Sequence, residues 1–130
     1  MHNVITNYQE SLLSYLSDSF RRAEHVKIIV SFIMESGVRL ILPELQKALE
    51  RQVRVEILTS RYLNITEPSA LYLLKDQLGQ ADIRIFESGS VAFHPKSYIF
   101  MGNEGGEVYV GSSNLSRSAL INGVNGTIVL

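Results

Sequence analysis

The 130-residue chain has no cysteine, which removes disulfides, thiolate chemistry and the commonest zinc sites and fits a reducing, cytoplasmic setting. Long hydrophobic runs are also missing: no stretch approaches the ~18 apolar residues that cross a bilayer. The start, Met1-His2-Asn3-Val4-Ile5-Thr6, has no basic region leading into an apolar segment, so neither a membrane protein nor a signal-directed secreted one is expected. Charge of one sign is not in excess, because 12 basic against 13 acidic residues leave a net charge of −1. The strong positive field that dominates nonspecific nucleic-acid affinity is therefore absent, and a polyanionic partner has to be met locally. There is no internal repeat, low-complexity tract or Pro/Ser-rich linker. Residues 1–130 thus read as a single domain. Glycine is scarce in the first hundred residues, with only Gly37, Gly79 and Gly89, and concentrated afterwards at 102, 105, 106, 111, 123 and 126. The C-terminal quarter is turn-rich.

What is present alternates between two periods. Tyr8, Leu12, Leu16 and Phe20 recur at i, i+4 and predict an amphipathic helix over 7–23, capped at Thr6 or Asn7. The β-branched run at 26–32 is a buried strand. Val38, Ile41, Leu45 and Leu49 return to helical spacing over 36–50, with Pro43 either kinking the segment or starting its second part. Residues 53–58 alternate as a second strand, Thr66-Glu67-Pro68 opens a further helix, and 83–86 form a third strand. Strand, helix, strand, helix, strand is the order of an α/β fold with a parallel sheet and right-handed crossovers.

The chemistry starts at His94-Pro95-Lys96. In a strand, residues i and i+2 share a face, so an imidazole and an ammonium project together, a nucleophile or base beside an anion clamp. The strand at 97–101, the turn at 102–106 and the returning strand at 107–110 form a hairpin. Centring its turn on Glu104 sets Asn114 opposite His94 and Ser112 opposite Lys96. Gly111-Ser112-Ser113-Asn114 then brings small polar groups to the same end of the sheet, where a helix expected over 115–120 offers free N–H groups beside Lys96 and Arg117.

His-x-Lys, a hairpin, and Gly-Ser-x-Asn twenty residues after the histidine together resemble the phospholipase D superfamily signature. The resemblance extends to the segments 30–37, 58–63 and 111–120. These are similar to the phospholipase D-like domain at the N-terminus of certain bacterial DEAD/DEAH-type helicases, and to metal-independent restriction endonucleases. It implies a phospholipase D-like fold: a mixed central sheet flanked by helices, with a C-terminal hairpin carrying the site. It also implies that His94 attacks phosphorus to form a phosphohistidine, while Lys96 and Asn114 hold nonbridging oxygens and Ser112, Ser113 and Arg117 add phosphate contacts. No metal or cofactor is required. Such sites use two His-x-Lys motifs; His2 and His25 lack the surrounding pattern, so a homodimer with the site at its interface would supply the second. DNA or RNA is the implied partner, and no membrane-binding amphipathic helix or lipid anchor supports a lipid substrate.

The acidic position of the signature falls near Met101 and Gly102 and is vacant. Relatives without it carry a glutamate some eleven residues after the asparagine; here that orienting position is Asn125, with Glu87, Glu104 and Glu107 as substitute carboxylates. An amide bonds imidazole but does not stabilise imidazolium as a carboxylate does. The alternative to a nuclease is therefore a catalytically weakened nucleic-acid-binding or dimerisation module. Tyr62 and Arg61, after the second strand, fall where ligands of α/β sheets collect. Arg21, Arg22 and Lys27 read as a solvated cluster, and the tyrosines at 8, 15, 72, 98 and 109 as core. The apolar strand at 126–130 stops without a polar tail, as in an N-terminal fragment of a longer protein continuing into an ATP-binding helicase motor.

Overall fold

The computed structural model describes residues 3–5, 11–87, 91–122 and 127–129. Strands β1 (Asn3–Ile5), β2 (His25–Val30), β3 (Arg54–Ser60), β4 (Asp82–Phe86), β5 (Lys96–Gly102), β6 (Gly105–Gly111) and β7 (Thr127–Val129) form one sheet in the order β1-β7-β6-β5-β2-β3-β4. The β2, β3 and β4 strands are mutually parallel and every other pairing is antiparallel, so the sheet is mixed. Helices α1 (Leu12–Arg22), α2 (Glu35–Glu50) and α3 (Pro68–Gln77) lie side by side, α2 touching both others. α2 and α3 are the two crossovers of the parallel part, as the alternating order of elements predicts.

Each element follows from its pattern. α1 buries Leu12, Leu16, Ser19 and Phe20 along one stripe, and its cap is Ser11, whose Oγ accepts the Ser14 N–H at 3.2 Å. The helix thus begins later than the periodicity suggested; Thr6 and Asn7 lie outside the described residues. α2 buries Gly37, Val38, Ile41, Leu45 and Ala48 and runs unbroken through Pro43, which sits on the exposed side where a missing N–H is cheapest. Pro68 occupies the first turn of α3, where no N–H is needed. Beneath the helices the sheet contributes Val26, Ile28, Val30, Val55, Ile57, Tyr98, Phe100 and Tyr109, all buried. Phe20, Phe100 and Tyr109 pack edge to face at 5.0 and 5.8 Å between centroids. Each large side chain so buried contributes roughly 1.5–3 kcal/mol.

Two sequence expectations about aromatics are corrected. Tyr98 and Tyr109 are core, but Tyr72 is 67% exposed and Tyr15 37% exposed. Tyr72 lies on the outer side of α3, where helical spacing alone does not distinguish the buried stripe from its flank. Tyr8 is outside the described residues. β1, an edge strand of three residues, carries too short a pattern to be read from sequence.

Candidate active site

β5 runs antiparallel to β2, so its first residue lies at the C-terminal end of β2, Lys96 pairing with Val30. β6 returns to that same end, and so the segments before β5 and after β6 meet where the parallel strands β2 and β3 finish. Ligands of open α/β sheets collect at this edge. Ser31 and Phe32, immediately after β2, join the two segments: Ser31 Oγ donates to the Pro95 carbonyl at 3.2 Å, and the Phe32 N–H donates to Asn114 Oδ1 at 3.1 Å.

His94 and Lys96 are brought together by a route other than the one expected. β5 begins at Lys96, so His94 lies outside the strand and the shared-face argument does not apply to it. Instead Lys96 Nζ donates to the His94 carbonyl oxygen at 3.0 Å, which holds the ammonium against the backbone that carries the imidazole. His94 is exposed and Lys96 half-buried.

The hairpin register is one residue away from the expected one. Ser97 faces Val110 and Gly102 faces Gly105, a two-residue loop of Asn103 and Glu104 rather than a turn centred on Glu104. Gly105 takes φ 112°, a conformation that L side chains rarely adopt. Continued outward, this ladder sets Lys96 against Gly111 instead of Ser112, and Asn114 is not the cross-strand partner of His94. Asn114 reaches the site through its bond to Phe32. Ser112 is exposed, whereas Ser113 is buried and its carbonyl accepts the Tyr98 hydroxyl at 3.0 Å.

The helix expected over 115–120 is replaced by a bridge and a short turn. Leu115 makes a parallel bridge with Ile33, its N–H donating to the Phe32 carbonyl at 3.3 Å and its carbonyl accepting the Met34 N–H at 2.9 Å. The helical turn starts one residue later than expected: Ser116 Oγ accepts the Ala119 N–H at 3.2 Å, its carbonyl accepts the Leu120 N–H at 3.0 Å, and Ser118–Asn122 continues as a π turn. Arg117 is exposed and donates its backbone N–H to Ser36 Oγ at 3.1 Å. A Cβ on Gly37 would fall 2.3 Å from the Leu115 carbonyl carbon, so this bridge needs glycine at the start of α2.

Tyr62 falls at this strand end as the sequence suggests, whereas the residues that hold it carried little sequence signal. The ring of Tyr62 meets that of His94 edge to face, 5.2 Å between centroids with planes at 88°. Fully buried Ser60 donates to the Ser31 carbonyl at 3.0 Å and accepts the Tyr62 N–H at 3.2 Å. Thr66 Oγ1 accepts the Ile33 N–H, and Glu67 accepts the Glu35 N–H at 2.8 Å. The available hint was a serine directly after an apolar strand, where a buried hydroxyl must find a backbone partner.

The substitute carboxylates separate. Glu104, in the hairpin loop, is some 20 Å along the hairpin from Lys96, and Glu107, opposite Phe100, about 14 Å, at about 3.4 Å per residue. Glu107 is held there by Ser19 at 2.8 Å and by Arg22. Neither serves His94, because the hairpin points them away. Glu87, after β4, is on the site's side of the sheet and pairs with Arg61 at 3.2 Å. Asn125 lies outside the described residues. His25 starts β2 and bonds Glu56 at 2.5 Å on the sheet face that also carries Lys27 and Arg54. Its bond, aided by the neighbouring cations, holds the Glu56 carboxyl below its ordinary range. Two cavities of about 590 Å³ lie elsewhere, one at the hairpin turn and one between α3 and β4. Among the described residues no helix is long and apolar enough to cross a membrane.

This architecture is shared with known structures. NucT from Helicobacter pylori superposes with a TM-score of 0.77 at 16% identity, over 99% of this chain and 84% of that one. Nuc from Salmonella typhimurium, described as a phospholipase D family member, gives 0.74 at 18% identity, over 99% and 81%. TrmBL2, an archaeal chromatin protein whose structure is described as showing a novel mode of DNA binding, gives 0.60 at 14% identity, over 99% and 45%. At these identities the likeness is one of fold. No curated protein matches the sequence. The family described as "Cardiolipin synthase, PLD-like domain" matches residues 16–129, nearly the whole chain, and the protein belongs to this phospholipase D-like family.

Proposed function

We propose that this domain is a metal-independent phosphodiesterase acting on DNA or RNA, with His94 as nucleophile. What supports this reading is that the segments bearing His94, Lys96 and Asn114 are tied to one end of the sheet, Lys96 Nζ donating to the His94 carbonyl and Asn114 accepting the Phe32 N–H just after β2. The Asn114 side-chain carbonyl is occupied, so its NH₂ is the group directed to a ligand oxygen. An imidazole nitrogen attacks phosphorus, and Lys96 with the Asn114 amide neutralises charge on the nonbridging oxygens. Ser112 and Arg117, both exposed, supply further phosphate contacts, while buried Ser113 holds the segment through Tyr98.

The phosphorus–oxygen bond to the leaving strand breaks as a second histidine donates a proton to that oxygen. This chain has one His-x-Lys, so the proton donor is His94 of a second copy in a homodimer whose site lies at the interface. Water then attacks the phosphohistidine, losing its proton to the second imidazole, and releases a phosphate monoester with His94 restored. The resemblance to helicase-linked and restriction-type members supports nucleic acid as substrate and attachment to a helicase or restriction protein. The likeness in fold to TrmBL2, whose structure is described as showing a novel mode of DNA binding, is consistent with that choice. An end-labelled oligonucleotide quenched in alkali should leave label on the protein, acid-labile as a phosphohistidine is and absent in His94→Ala. Hydrolysis without any such adduct would overturn the covalent step.

A second reading, a binding or dimerisation module with weakened catalysis, is favoured by one observation. Among the described residues no carboxylate hydrogen-bonds the His94 imidazole. This reading predicts nucleic-acid binding at low salt with no cleavage.

A further inference from the structure

We propose that Tyr62 is the positioning residue for His94, its ring doing by packing what a carboxylate does by hydrogen bonding in a conventional nucleophile–orienter pair. The proposal rests on the reading of His94 as the reactive imidazole. Three observations carry it.

The first is the contact itself. The rings stand 5.2 Å apart at 88°, the edge-to-face arrangement in which the positive edge of one aromatic meets the negative face of the other. His94 is otherwise an exposed side chain preceding a proline and outside any strand, and its imidazole nitrogens have no hydrogen-bond partner among the described residues. The Tyr62 ring is the group that restricts how the imidazole turns.

The second is that both rings hang from one buried polar spine. The Tyr62 N–H donates to Ser60 Oγ, Ser60 Oγ donates to the Ser31 carbonyl, and Ser31 Oγ donates to the carbonyl of Pro95, next to His94. Ser31 and Ser60 are fully buried. Their hydroxyls have few alternative partners, so the offset between Tyr62 and His94 is set by the ends of β2 and β3.

The third is the shape of the turn that presents Tyr62. Leu63 and Asn64 take φ 57° and 54°, two consecutive non-glycine residues in the left-handed region, closed by an Asn64 N–H to Arg61 carbonyl bond of 2.9 Å. Leucine is disfavoured there, and Leu63 is 67% exposed, so core burial does not explain the conformation. Strain of this kind persists where the surroundings over-determine it, and it collects at functional sites. What the turn achieves is the half-buried placement of the preceding ring against His94.

The test uses the full chain as wild type, Tyr62→Phe and Tyr62→Leu. The His94 Cε1 and Cδ2 protons are followed by NMR, and phosphodiester hydrolysis is measured on a single-stranded oligonucleotide. In wild type and Tyr62→Phe both protons should carry a ring-current shift and the rates should agree within twofold. In Tyr62→Leu the shifts should relax to those of a free histidine. There kcat should fall roughly tenfold with KM unchanged, as loss of an aromatic pair contact implies. Unchanged His94 resonances in a folded Tyr62→Leu protein would overturn the proposal, as would a rise in KM alone. Absence of hydrolysis by the wild type would overturn the nuclease reading, and the positioning claim would then stand or fall on the ring shifts.

Discussion

Asn114 accepts the backbone N–H of Phe32 through its side-chain oxygen at 3.1 Å, which fastens the segment after β6 to the end of β2. The bond fixes which half of the amide is available. With the oxygen engaged by the backbone, the NH₂ group is left for a phosphate oxygen, and the same bond aligns the Ile33–Leu115 bridge beside it. Asn114 is thereby a strut between the two segments and, in the proposed function, a donor to phosphate; its placement depends on the neighbours that hold this bond.

Gly37 is the first of those neighbours. A Cβ there would lie 2.3 Å from the Leu115 carbonyl carbon and 2.4 Å from the Ser116 nitrogen, both backbone atoms that side-chain rotation cannot relieve. Gly37→Ala should lower stability by about 2–3 kcal/mol. The check is a urea transition with a lower midpoint and an unchanged slope. A midpoint equal to wild type would show that the bridge yields without cost.

Tyr98 supports the site from below. Its buried hydroxyl donates to the Ser113 carbonyl at 3.0 Å, and burial pushes the phenol far above its ordinary range. Tyr98→Phe leaves that carbonyl without its donor and should cost about 1–2 kcal/mol. The folded phenol resists ionisation while the unfolded one ionises near pH 10. The unfolded state then binds fewer protons, so the Tyr98 contribution is fully present below about pH 10 and lost as pH rises above it. A wild-type advantage over Tyr98→Phe that failed to shrink between about pH 9 and 11 would contradict this assignment.

Glu56 gives the opposite pH dependence. Its carboxyl is held low chiefly by the His25 bond, with Arg54 and Lys27 adding to it; Asp82, beside it on β4, is the nearby acid. A depressed folded value means that the stabilisation is present above the unfolded carboxyl's range, about pH 4–5, and lost as pH falls through the folded value. The stability difference between wild type and Glu56→Gln should be present at about pH 5 and vanish as the carboxyl protonates in stronger acid. A difference that persists undiminished at about pH 2 would refute the pairing.

The family resemblance implies that position 125, here asparagine, is where a glutamate would orient the histidine. Asn125→Glu should raise the cleavage rate by about 10- to 100-fold, less than the ~10⁴ that a triad aspartate carries, because Tyr62 already orients the imidazole. No change in rate would mean that position 125 does not face His94.

The alternation of strands and helices was legible because apolar period and turn residues agree in each segment, from Val26–Val30 to Pro68–Gln77. The residues proposed for the site, His94, Lys96 and Asn114, stand out in the sequence as a motif, but the local geometry around them does not. Hairpin register is set by side-chain packing, and Gly102, Gly105 and Gly106 offer none, so a one-residue error cost nothing in the pattern. The Leu115–Leu120 segment has helical composition, yet Leu115 is drawn into a bridge with Ile33, a tertiary contact that local propensity does not contain. The Tyr62–His94 contact spans thirty-two positions and depends on Ser31 and Ser60, whose hydroxyls act only once the strand ends are side by side.

Hydrolysis of single- and double-stranded DNA and a chromogenic phosphodiester in excess EDTA, wild type against His94→Ala, tests His94 as a metal-independent nucleophile. Cleavage should survive the chelator and fall by about 10³-fold or more in the variant, as loss of a nucleophile requires. Cleavage abolished by EDTA, or retained in His94→Ala, would contradict that role.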